Sequence, residues 1–106
     1  MKRLHVGEFE ELMLLSVRAL APPVYAVAIQ RFIARTAGRD VALGAVYAAL
    51  GRLEEKGLLR STLGEATAER GGKRKRLFAV TPAGMQTLMD LRRVRTRLWQ
   101  LIEERG

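Results

Sequence analysis

Apolar residues recur at three- and four-residue steps in four stretches of the chain, and two short β-type runs lie between the third and the fourth. The first stretch predicts a helix over residues 8–20: Phe9, Leu12, Met13, Ser16, Val17 and Leu20 repeat at helical spacing. Leu14 and Leu15 widen its apolar arc, which suggests burial on two sides. Glu8, Glu10 and Glu11 fall in its first turn, where negative charge suits the helix dipole. Pro22-Pro23 ends it and opens a second helix over 24–37, with Tyr25, Ala28, Ile29, Phe32 and Ile33 as the inward stripe and Gly38 as the stop. Asp40-Val41 is read as a minimal strand at a sheet edge. A third helix over 43–56 carries Val46, Leu50 and Leu53 inward and Ala45, Ala48, Ala49 and Arg52 outward, and Lys56-Gly57 closes it. After the β-type runs at 58–63 and 77–80, Thr81-Pro82 starts a last helix over 82–105. On it Leu91, Val94, Leu98 and Leu101 follow 3-4-3 spacing, as in a short coiled-coil seam, and Met85, Leu88, Met89, Trp99 and Ile102 broaden the stripe.

The link between the two β-type runs changes the picture most. Residues 70–76 read Arg-Gly-Gly-Lys-Arg-Lys-Arg, and the glycines permit a tight turn that carries the cations to a hairpin tip. In isolation such a run reads as a solvated loop. Following a helix-turn-helix pattern, it reads as a wing that grips the DNA backbone beside a helix lying in the major groove. The fold class expected is therefore mainly α with a small β wing: a winged helix-turn-helix over 1–81 and a dimerisation helix over 82–106, forming one compact unit.

Composition narrows the function. At 106 residues the chain is one domain with a small core, and without cysteine it has no disulfide, so oligomerisation is the expected further source of stability. A net charge of +8 points to a polyanionic partner. No apolar run approaches the roughly 20 residues of a membrane span, and acidic residues come too early for a signal peptide, so no membrane role and a cytoplasmic setting are expected. No cofactor or metal is expected, and no nucleophile–base pair suggests an enzyme; His5, the only histidine, lies near the terminus. A basic RNA-binding module or ribosome-associated protein fits the same charge, but the few aromatics sit at core-periodic positions and leave no stacking platform.

On the third helix, Gly44, Ala45 and Ala48 would let the backbone approach the groove floor, and an alanine can meet a thymine methyl. Alanines also simply favour helix. Tyr47 is either a half-buried core aromatic or a phosphate donor, and Arg52 either a surface cation or a contact to phosphate or base.

The run Leu43-Gly44-Ala45-Val46-Tyr47-Ala48-Ala49-Leu50-Gly51-Arg52-Leu53-Glu54-Glu55-Lys56-Gly57-Leu58 resembles the signature of PadR-type transcriptional regulators. The opening Gly7-Glu8-Phe9-Glu10-Glu11-Leu12 and the segment 69–84 are similar to that family's first helix and its wing. A single helix after the wing resembles the short subfamily. The resemblance implies a homodimeric repressor of double-stranded DNA that binds an inverted repeat, with Ala45, Tyr47, Ala48 and Arg52 on the reading helix and Lys73, Arg74 and Arg76 on the wing. Family members often control transporter, efflux or phenolic-stress genes, and some answer to a small hydrophobic or aromatic effector. Dimer contacts are expected from Leu91, Val94, Leu98 and Leu101 against Leu14 or Leu15. Trp99 is read either as an interface anchor or, with Met89 and Ile102, as the effector site. Two positions depart from the family pattern: Ala26 follows Tyr25 where glycine is usual, and Ala42 stands where a capping serine or threonine is usual.

Overall fold

The computed structural model describes residues 5–64 and 75–106. Helix α1 (Glu8–Ala19) leads through Ala21, at φ 61°, and a cis Pro22–Pro23 peptide into strand β1 (Val24–Tyr25). Helix α2 (Ala26–Ala37) and helix α3 (Leu43–Glu55) follow, then strands β2 (Leu59–Leu63) and β3 (Arg76–Val80) and helix α4 (Pro82–Arg105). The sheet is antiparallel in the order β1-β3-β2, with Val24 opposite Phe78, Leu59 opposite Val80 and Leu63 opposite Arg76.

Two of the expected elements differ. The predicted second helix begins two residues late, because Val24 and Tyr25 pair with β3 instead; Tyr25 and Ala28 are exposed rather than part of the inward stripe, and Ala26 is buried in their place. Asp40-Val41 forms no strand, and residues 38–42 are the irregular turn between α2 and α3. Gly38 ends α2 at φ 61°, as a left-handed C-terminal stop should. Residues 43–55 and 82–105 match the predicted third and last helices to within a residue.

The core is formed where α1, α2 and α3 meet the sheet. Met13, Leu14 and Val17 pack with Ile29, Ile33, Val46, Leu50, Leu53, Leu59 and Phe78, all buried. Leu14 is therefore core, not part of a dimer surface: it is fully buried while its neighbour Leu15 is 48% exposed. Ala49, read as outward, is also fully buried, since it continues the inward stripe one turn after Val46.

The junction of α3 with β2 fixes how the β2–β3 hairpin leaves α3. Gly57, at φ 76°, takes the left-handed conformation. The Gly57 N–H donates to the Glu54 carbonyl (3.0 Å) and that of Leu58 to the Leu53 carbonyl (2.9 Å), so two orphan carbonyls of the helix end are satisfied. Thr81 then staples the start of α4 onto this turn. Its hydroxyl donates to the Gly57 carbonyl (2.7 Å) and accepts from the Gly84 N–H (3.0 Å).

Candidate nucleic-acid interface

Helices α2 and α3 and the turn between them make the helix-turn-helix. Gln30 on α2 donates to the Val41 carbonyl at 2.9 Å and so holds the turn in front of α3. The α3 cap, Ala42, makes no side-chain bond. Val46, Ala49, Leu50 and Leu53 seat α3 on the core. The opposite side presents Gly44, Ala45, Tyr47, Ala48 and Gly51, all exposed, followed by Arg52, Glu54 and Glu55. Of the residues assigned to DNA contact, Ala45, Tyr47, Ala48 and Arg52 thus share the solvent side of one helix.

The wing is rooted in the same helix. Arg76 opens β3 and donates through Nη1 to the Ser61 hydroxyl (3.0 Å), which in turn donates to the Glu54 carboxylate on α3 (2.7 Å). Arg76 therefore belongs to the paired base of the hairpin rather than to its tip. Lys73 and Arg74 lie outside the described residues.

Sequence patterning missed what the first turn of α1 does. Its three glutamates, read as dipole partners, each bind a cation from another part of the fold. Glu8 meets Arg39 in the α2–α3 turn (2.7 Å), whose guanidinium also lies 5.3 Å from the Phe9 ring centroid. Glu11 pairs with Arg95 of α4 through both of its oxygens. Glu10 is buried and reaches α3: its carboxylate accepts from Arg52 Nε (3.0 Å) and Lys56 Nζ (2.8 Å), and from the cap N–H of Gly7 (3.1 Å). Burial by itself would raise the Glu10 pKa, but the bonds from Lys56, Gly7 and Arg52 and the Lys56 charge outweigh it, and the net shift is downward. Gly7-x-x-Glu10, half of a capping box, was the one local signal that Glu10 turns back toward its own helix end.

On α4, Leu91 is partly buried, whereas Val94, Leu98, Leu101 and Ile102 are exposed and Trp99 is 62% exposed. Beside them α1 and α4 form a groove of about 460 Å³ lined by Leu15, Met85, Leu88, Met89 and Trp99 together with Glu11, Arg18, Arg92 and Arg95. Leu15, Met89 and Trp99 thus line one groove, while Ile102 lies outside its lining. Among the described residues no helix is long and apolar enough to cross a membrane.

The model of the transcriptional regulator PadR-like family matches residues 14–90, from the middle of α1 through the wing into α4. The chain belongs to this family. It is accordingly a DNA-binding transcriptional regulator with a winged helix. No curated protein matches the sequence. Among solved structures, a PadR-like transcription factor from Bacteroides fragilis is 23% identical, with 92% of this chain and 89% of that one covered at a TM-score of 0.78. A PadR family regulator from Eggerthella lenta is 22% identical, covering 92% and 84% at 0.72. A PadR-like regulator from Bacillus cereus is 17% identical, covering 91% and 88% at 0.70. At these identities the likeness concerns the fold, including the single long helix after the wing of this PadR-like chain.

Proposed function

We propose that this PadR-like chain works in the cytoplasm as a homodimeric repressor of an inverted-repeat operator. The observation that carries the reading is the apolar face of α4: among the described residues, Val94, Leu98, Leu101 and Ile102 stay exposed and outside the core. A second copy is the natural cover, because a seam with 3-4-3 spacing is self-complementary about a two-fold axis. Two-fold symmetry then presents two α3 helices to two half-sites. The small exposed side chains of α3 leave few groups for direct base reading, so DNA shape and phosphate contacts from α3 and the wing supply much of the affinity. Repression is the simplest outcome of such binding: a subunit whose surfaces are committed to DNA and to its own mate blocks polymerase by occupying the site.

A second element of the reading is release by a hydrophobic aromatic effector. The groove beside Trp99 supports it, since methionines give an adaptable lining and Arg18 and Arg92 suit an anionic or phenolic ring, Arg95 being held by Glu11. Selection from random duplexes, followed by sedimentation of the complex, tests the whole proposal. The expected product is an inverted repeat bound by two chains; a single chain on an asymmetric site, or a preference for RNA, overturns it.

A further inference from the structure

Glu10 has a place in this interface that burial and charge define together. Its carboxylate is already neutralised by Lys56, whose side chain is only 26% exposed, and Gly7 supplies a further donor. Arg52 is therefore surplus to the needs of the buried group. Its side chain is 52% exposed, and it is held through Nε, the nitrogen nearest the chain. A guanidinium is a rigid planar fork. With Nε fixed on Glu10, the plane of the fork is set, and Nη1 and Nη2 have no partner among the described residues. Arg52 lies one turn beyond Ala48, on the flank of α3 that faces α1, beside the helix face and not at its centre. A flank position meets the DNA backbone before it meets base edges.

We propose that Glu10 is a positioning residue for DNA binding: it fixes Arg52 so that the two free Nη groups grip one phosphate per half-site. The proposal rests on the DNA-binding reading of α3 and adds to it a buried acid that touches no DNA. A bidentate grip needs both outer nitrogens in one plane, and the Nε–Glu10 bond sets that plane before DNA arrives. Lysine cannot substitute, since one ammonium cannot both stay on Glu10 and present a second, pre-aimed edge.

The test is duplex binding by fluorescence anisotropy across a KCl series, for the wild-type protein, Arg52→Ala, Arg52→Lys, Glu10→Gln and the Glu10→Gln/Arg52→Ala double variant. Arg52→Ala should flatten the log–log salt slope by about 0.9 per half-site, about 1.8 for a dimer. Arg52→Lys should resemble Arg52→Ala, and the double variant should bind no worse than Arg52→Ala, because Glu10 acts only through Arg52. If Glu10→Gln lowers the melting temperature, Arg52→Lys carries the test, since it leaves the Glu10–Lys56 pair in place. Wild-type slope and affinity in Arg52→Lys, or additive losses in the double variant, overturn the positioning role while duplex binding by the wild type leaves the DNA reading intact. A wild type that binds no duplex removes both.

Discussion

The carbonyl of Leu58 occupies the space into which a Cβ on Gly84 would project, well inside the 3.0 Å that real Cβ atoms keep. Val80 Cγ1 closes the same space at 2.8 Å. Here α4 lies directly on the turn that ends α3, backbone against backbone. Gly84→Ala should therefore destabilise the fold by about 1–3 kcal/mol or more, because the obstructing atom is main chain and cannot rotate away. A lower denaturant midpoint at unchanged m-value would report it; an unshifted midpoint would mean that α4 can slide off the turn at no cost.

Opposite behaviour is expected at Gly51. A Cβ there would meet nothing within 4 Å, so the fold has no need of a glycine in the middle of α3. Gly51→Ala should add about 0.8–1 kcal/mol of helix stability and yet weaken operator binding by holding α3 off the groove. Ala48→Glu, at an exposed position, should leave the melting temperature unchanged and reduce binding by orders of magnitude. Full binding by both variants would take α3 out of the groove.

The wing should give affinity without sequence preference. Replacing Lys73, Arg74 and Arg76 together by alanine should weaken specific and random duplexes alike, flattening the salt slope by about 0.9 for each phosphate no longer neutralised. Arg76 is bonded to Ser61, so the Lys73/Arg74 double variant should account for most of the change. A slope identical to wild type would detach the wing from the DNA.

Assembly should depend on α4. Leu98 is 54% exposed in the single chain, so covering what remains of it is worth roughly 1 kcal/mol, about half the value for a fully exposed leucine. Leu98→Asp should sediment as a folded monomer and lose operator binding together with the dimer. A wild-type monomer at micromolar concentration would remove the two-fold model.

Trp99 is the chain's single tryptophan, so its emission reports one site. Planar anionic aromatics should quench it saturably and weaken DNA binding in parallel, and Trp99→Ala should remain dimeric but lose the response. A diverse panel that never alters the emission leaves Trp99 as interface packing.

Much of this architecture is legible in the chain because α3 and α4 carry their own punctuation: Lys56-Gly57 after one, Thr81-Pro82 before the other. What stays hidden depends on distant partners. Val24 and Tyr25 look helical until Phe78 and Leu77 are set beside them as strand neighbours. Leu14 and Leu15 are indistinguishable by period, since adjacent leucines on a wide arc do not say which one faces its own core. Ala49 carries no polarity to mark its side of α3. Glu10 hides for the opposite reason: an acid in a first turn is adequately explained by the helix dipole, and only the approach of α3 from 42 residues away makes it a buried anchor.

Every residue from Arg92 to the end of α4 is solvent-exposed in the single chain. A helical stretch of that length is marginal in water unless something packs on it, and a frayed helix end is where proteases cut first. On the proposed dimer, limited proteolysis should therefore cut an unpaired chain first along this stretch, and a partner packed on it should slow the cut. If α4 pairs as proposed, the resistance of this stretch to proteolysis should rise with protein concentration.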